Sequence, residues 1–310
     1  MEEKIEIMNL LQSKQVLEHQ LQALSYGSVE IRESNSNKYI YVHYREDGVA
    51  LTKYVGEYSE ELYNLVLNNS IKAKELKKQI RDITKKLKQY NFIEKEISPN
   101  VAQNIDFAKR HLVDTIYKQA ILEGVATTFA DTESIIEGGK VNNMSSEDIL
   151  KIVNLKHAWE FILNKNVILS DTNFALLCQI NKMVEEGFYY TAGKIRNVPV
   201  SIGGTTWTPD LPIESVVKEE LEEIFNKQID DIEKATELLL YTMKKQIFID
   251  GNKRTSVIYA NHYLISKGKG IIVIPAELTE DFKNLLIPYY EGKDETEIKT
   301  FIKERCYVSI

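Results

Sequence analysis

Apolar positions recur at helical spacing along two long stretches near the N-terminus. Leu10, Leu17, Leu21 and Leu24 give the first stretch one apolar face. In the second, Leu62, Val66, Asn69, Ala73, Leu76, Ile80, Ile83, Leu87 and Tyr90 alternate steps of four and three, a sustained heptad seam with charged positions between. Between the two the period shortens to that of β-structure: Val29 and Ile31, then Tyr39 to Tyr44, then Val49 to Val55. Asn35-Ser36-Asn37 and Asp47-Gly48 separate these runs and predict hairpin turns. The expected unit is a helical hairpin stalk carrying a small three-stranded antiparallel sheet. Its seam, residues 58–90, also suits a coiled-coil or homo-oligomer contact, with Asn69 setting the register. Tyr39, Tyr41 and Tyr44 read equally as packing of the sheet or as a protein-binding face.

Proline is absent until Pro99, and from there the pattern is mainly helical. Two domains are expected, an accessory stalk over 1–98 and a core over 99–310. Helices are predicted over Ile105–Glu123, Ser146–Asn164, Thr172–Glu186, Ile213–Phe225, Asp230–Lys245, Lys253–Ser266, Thr279–Tyr290 and Thr296–Cys306. Val198, Val200 and Ile202 alternate ahead of Gly203-Gly204 and Trp207, which predicts a β-hairpin within an otherwise α-helical bundle.

Composition narrows the function classes. The chain has 310 residues with a formal charge of −7, which argues against nonspecific nucleic-acid binding. No apolar run is long enough to cross a bilayer, and the segment after Met1-Glu2-Glu3-Lys4 is amphipathic rather than a signal-peptide core, so a cytoplasmic protein is expected. Cys178 and Cys306 lie far apart without a paired-cysteine motif and are expected to be reduced. The five histidines show no metal-ligand spacing.

The chemistry concentrates between Gln246 and Ser256. An apolar helical run enters the turn Asp250-Gly251-Asn252, and a second helix begins at Lys253-Arg254. Glycine admits close backbone approach, while a helix start offers free N–H groups and the positive end of a dipole. Asp250 supplies an oxygen ligand for a hard cation such as Mg2+. An ordinary helix–turn–helix corner would use the same tripeptide.

The full string resembles the Fic/Doc (Fido) signature, HxFx(D/E)GN(G/K)R, through Phe248, Asp250, Gly251, Asn252, Lys253 and Arg254. Gly193 to Pro212 resembles the family's flap, where a target protein is presented. Leu122-Glu123-Gly124, followed by Glu137-Gly138-Gly139-Lys140 and by Ala158 to Ile162, resembles the start of many Fic cores. The resemblance implies a Fic-type helical bundle with a β-hairpin flap and transfer of AMP from Mg-ATP to a target hydroxyl. It implies Asp250 as the Mg2+ ligand, and Asn252 and Arg254 as phosphate contacts. Gly251 would keep main-chain amides open, Phe248 would anchor the loop, and Glu123 would be a candidate inhibitory residue.

Four positions depart from the pattern. Gln246 stands where the family has its general-base histidine, and an amide cannot take that role near neutral pH. Lys253 replaces the commoner glycine, as in Doc-type members, which phosphorylate their target. Val257 stands where the extended signature has a second arginine, which removes the expected ionic partner of Glu123, and Gln119 occupies the hydroxyl position of the inhibitory motif. The expectation is an attenuated AMP transferase, with a Doc-like protein kinase or a non-catalytic nucleotide-binding or interaction protein as alternatives.

Overall fold

The computed structural model describes residues 2–35, 37–46, 48–93 and 95–310. These form two compact units, Asn9–Ile93 and Met1–Met8 together with Glu94–Ile310.

In the smaller unit the end of α1 (Glu2–Gln22) leads into β1 (Ser28–Ser34), β2 (Asn37–Glu46) and β3 (Val49–Glu57), followed by α2 (Glu60–Gln89). The strands pair antiparallel in the order β1-β2-β3, with Ile31 opposite Ile40 and Tyr41 opposite Tyr54. Ser36 and Asp47, in the two expected turns, lie outside the described residues, and Asn35 and Gly48 beside them have φ of 50° and 82°. Ile40, Val42 and Val66 are buried at the centre of the unit, with Val29, Tyr44, Val55, Leu62 and Tyr63 packed around them. Alternation divides the tyrosines: Tyr44 joins this core, whereas Tyr39 and Tyr41 pair with Tyr54 on the other face. Ser59 caps α2 by accepting from the Leu62 amide at 3.1 Å. Every seam position from Leu62 to Tyr90 is buried or half-buried, and Asn69 donates to the Ser25 carbonyl at 3.3 Å.

The larger unit is helical. Ser98 caps and Pro99 starts α3 (Pro99–Arg110), which is followed by α4 (Leu112–Leu122). A single helix was expected across this region. It is interrupted at His111, whose ring stacks on Phe107 at 4.0 Å and whose Nδ1 meets the Phe107 carbonyl at 2.9 Å. Next come α5 (Phe129–Ile136), α6 (Ser146–Ile162), the short α7 (Lys165–Ile168) and α8 (Phe174–Val184). Helix α5 was not expected, although Thr128 and Asp131 form its reciprocal cap, with the Asp131 amide donating to Thr128 Oγ1 at 3.1 Å.

Beyond α9 (Glu214–Asn226), α10 (Asp231–Lys245) packs against α11 (Asn252–Lys267), which is buried along almost its whole length. An all-round buried helix has little amphipathic character and belongs at a core's centre. Asn261 fixes it there, donating to the Val257 and Ile272 carbonyls and accepting from the Ile272 amide. The chain closes with β4 (Ile271–Ile272), α12 (Thr279–Tyr290), α13 (Thr296–Phe301), a wide helical turn at Ile302–Cys306 and β5 (Tyr307–Val308), which pairs with β4.

The segment 193–212 corrects one expectation: among its described residues there is a turn at Gly203-Gly204 but no strand. Its two stems are joined through Arg196, which is 2 % exposed, rather than through a ladder. The guanidinium donates to the carbonyls of Val198 at 2.8 Å, Asp210 at 2.7 Å and Pro209 at 3.3 Å. Carbonyls turned inward to a cation are lost to cross-strand pairing, so alternation of Val198, Val200 and Ile202 does not become a hairpin.

Candidate functional site

The loop between α10 and α11 is built by its own side chains. Gln246 ends α10 in the left-handed region, with φ 45° and ψ 58°. Its Nε2 donates to the Met243 carbonyl at 2.7 Å and its Oε1 accepts from Asn252 Nδ2 at 3.1 Å, so both ends of the amide are engaged. The Asn252 amide also bonds both main-chain groups of Phe248, accepting from its N–H at 3.0 Å and donating to its carbonyl at 2.8 Å. Phe248 is 2 % exposed and pins the loop to the core. With its side chain occupied, Asn252 offers an incoming anion its main-chain N–H in the first turn of α11.

Gly251 precedes that turn with φ 71° and gives α11 no side-chain cap. A Cβ there would fall 2.4 Å from Glu185 Oε1, and the positive φ is strained for a side chain, so both favour glycine. Asp250 is half exposed, and its Oδ1 accepts from the Gly251 amide at 2.7 Å. Asn181 fixes the far side of the loop: its Nδ2 donates to the Asp250 carbonyl at 3.0 Å and to Thr255 Oγ1 at 3.2 Å, and its Oδ1 accepts from Gly193 N–H at 2.8 Å. One buried amide thus ties the loop, α11 and the start of the 193–212 segment together. Arg196 adds a second tie by donating from Nε to the Gln246 carbonyl at 2.6 Å.

Arg254 lies under this turn, 2 % exposed. Its Nη2 is 2.8 Å from Glu185 Oε1 and 3.8 Å from Asp250 Oδ1, and its Nε is 3.8 Å from Glu123 Oε2. Glu123 also lies 3.7 Å from Lys253 Nζ, so it approaches the loop's two cations without a hydrogen bond to either. Arg254 Nε and Nη1 are buried without a hydrogen-bond partner. Burial pushes Glu185 up to about 7, against the pull of Arg254 and with Asp250 and Glu123 adding repulsion. Gln119 holds α4 to this centre, donating to the Arg254 carbonyl at 2.8 Å and accepting from Trp159 Nε1 at 2.8 Å.

The structure therefore gathers Gln246, Asp250, Gly251, Asn252, Lys253, Arg254 and Glu123 around one helix start. It adds three residues that the sequence pattern did not single out: Asn181, Glu185 and Arg196. Glu185 had one legible signal, since an acidic pair, Glu185-Glu186, follows the C-terminal end of α8, where the helix dipole disfavours negative charge. Among the described residues no group of three or more His, Cys, Asp and Glu forms a metal cage. Mg2+ at phosphate sites needs only one or two carboxylates, which Asp250 can supply. The orphaned Arg254 donors and the uncapped helix start fit a phosphate-bearing ligand.

The glycine-led start of α11 lies over the buried Arg254 guanidinium in a helical domain. Residues 171–264 match the family described as Fic/DOC family. Three solved structures share the fold. A Fic domain containing signaling protein from Bacteroides thetaiotaomicron is 19 % identical, with 62 % of this chain and 75 % of that one covered at a TM-score of 0.51. Fic-1 from C. elegans is 16 % identical, with 78 % and 76 % covered and a TM-score of 0.52. A Fic family protein from Desulfovibrio desulfuricans is 15 % identical, with 67 % and 72 % covered and a TM-score of 0.52. No curated protein matches the chain. Among the described residues no helix is long and apolar enough to cross a membrane.

Proposed function

We propose that this protein is a Fic-type adenylyltransferase that moves AMP from Mg-ATP to a hydroxyl of a target protein, at a rate attenuated by Gln246. The observation that carries the reading is the pairing of an uncapped α11 start with buried, unpartnered donors on Arg254. Arg254 and the first amides of α11 would hold phosphate oxygens, and Asp250 would hold Mg2+. The bound ion would neutralise charge on the phosphates. Segment 193–212 would receive the target, its base fixed to the loop by Arg196 and Asn181.

Gln246 carries no proton-accepting group for this chemistry, and a general base typically contributes ~10²–10⁴-fold. Positioning by the loop would remain. A second reading, a non-catalytic nucleotide-binding or interaction protein, is favoured by two facts. Both ends of the Gln246 amide are engaged within the chain, and Glu185 already lies 2.8 Å from Arg254 Nη2.

The test is incubation with ATP labelled at the α- or γ-phosphate, Mg2+ and a cell lysate, using the chain and its Gln246→His variant. Transfer of α-label that rises in the variant supports the proposal. Transfer of γ-label alone would assign the Doc-like phosphorylation instead. Nucleotide binding with no transfer by either form would assign the non-catalytic reading.

A further inference from the structure

A second site lies in the smaller unit, between the end of α1, the sheet and α2. It is a cavity of about 840 Å3, in the size range of small-molecule sites. The chain builds it from a fixed corner. Ser70 Oγ donates to the Gly27 carbonyl at 3.1 Å and accepts from the Gly27 amide at 3.1 Å, while Asn69 holds the Ser25 carbonyl. Gly27 is packed so closely on β2 that a Cβ would lie 2.4 Å from the His43 carbonyl oxygen. This corner sets Tyr26 against Tyr44, ring centroids 6.0 Å apart at 50°, and leaves open space beyond them.

The lining joins two chemistries. Leu21, Val42 and Ile80 give it an apolar wall beside the tyrosine pair. Lys53, Lys74, Lys77 and Arg81 bring four cations, in a chain whose net charge is −7. Among the described residues none of these four is ion-paired, and Lys77 Nζ lies 4.6 Å above the Tyr26 ring. The single carboxylate in the lining, Glu18, already lies 3.9 Å from Lys14. The flank of α2 beside the seam thus contributes cations, Lys74, Lys77 and Arg81, while the seam residue Ile80 contributes packing.

We propose that this cavity binds a small organic anion of mononucleotide size. Its planar body lies against Tyr26 and Tyr44, and its phosphate or equivalent anionic group meets Lys74, Lys77 and Arg81. The site is independent of the loop at Asp250–Arg254 and of any transfer reaction there.

The test uses the full chain and the anionic aromatic probe 8-anilinonaphthalene-1-sulfonate, followed by fluorescence. The expected result is one saturable site, weakened at least about tenfold by Lys77→Glu with Arg81→Glu, and also weakened in the unmodified chain when NaCl rises from about 0.05 to about 0.5 M. AMP should displace the probe, with adenosine at least about tenfold poorer because it lacks the charge. Far-UV circular dichroism checks that the double variant is folded, and the salt series needs no variant. Absence of a saturable site, affinity unchanged in the double variant or in high salt, or equal displacement by adenosine overturns the proposal.

Discussion

Arg254 Nη2 lies 2.8 Å from Glu185 Oε1, with both side chains almost wholly removed from water. The two are not equally able to stand alone. Arginine stays charged in any protein environment, whereas burial already pushes Glu185 up to about 7 and protonation removes its charge. Glu185→Ala should therefore cost about 3–5 kcal/mol, the penalty of an unpaired buried cation. Arg254→Leu should cost less at pH 6 and more at pH 8, because loss of the guanidinium raises Glu185 further and keeping its proton costs more at the higher pH. Urea denaturation of both variants at the two pH values checks this, and equal, pH-independent losses would contradict it.

In the intact chain Glu185 makes its own contribution to the pH profile. Its folded value near 7 exceeds the ordinary carboxylate value, so between roughly pH 4.5 and 7 the folded state binds the extra proton. This group's contribution to stability is present at the acid end of that window and is lost as pH rises through 7. Glu185→Gln should flatten that part of the stability–pH curve, measured by denaturant midpoint.

His262 acts with the opposite sign. It is fully buried between Thr172 Oγ1 and the Val167 carbonyl, each at 2.9 Å, and burial lowers it to about 4. The unfolded chain takes up this proton at about pH 6.5, so stability falls as pH drops from there towards 4, by an amount on the order of 3 kcal/mol. His262→Gln should remove that slope whatever its effect on absolute stability. A variant retaining the full acid slope would show that other groups carry it.

Gly251→Ala should fail twice. A Cβ would press on Glu185 Oε1, and φ of 71° is strained for any residue with a side chain. A loss on the order of 1–3 kcal/mol is expected, together with loss of nucleotide binding. Thermal melting and calorimetry read the two effects separately. Retained binding with a lowered melting temperature would mean that the close approach at Gly251 serves only packing.

Arg196→Lys should loosen segment 193–212, because a single ammonium cannot reproduce bonds to the carbonyls of Gln246, Val198, Pro209 and Asp210. The loss should be on the order of 3 kcal/mol, with faster proteolysis between Val198 and Asp210. Unchanged cleavage would contradict Arg196 as the tie at the base of the segment.

How much of this was legible depended on whether the determining contact was local in sequence. The seam of α2 and the turn at Asp250-Gly251 are written in neighbouring residues, and each lies where the pattern put it. Helix α5 was missed although Thr128 and Asp131 announce it, because its eight residues are too short for a clear period. The break at His111 and the absent hairpin depend on where one side chain turns, which periodicity does not record. Glu185 and Asn181 are ordinary helix-end and helix-face residues until the fold carries them to the loop about seventy positions further on.

The measurement that bears most directly on the central claim is calorimetric titration of Mg-ATP into the chain and into Arg254→Leu. If α11 opens on a phosphate cradle, the chain binds at one site outside the smaller unit. The Arg254→Leu variant, shown to be folded by circular dichroism, should then lose that site's affinity by at least about tenfold, the weight of one charge-assisted phosphate contact. The same affinity in both forms, or no such site in the unmodified chain, would contradict it.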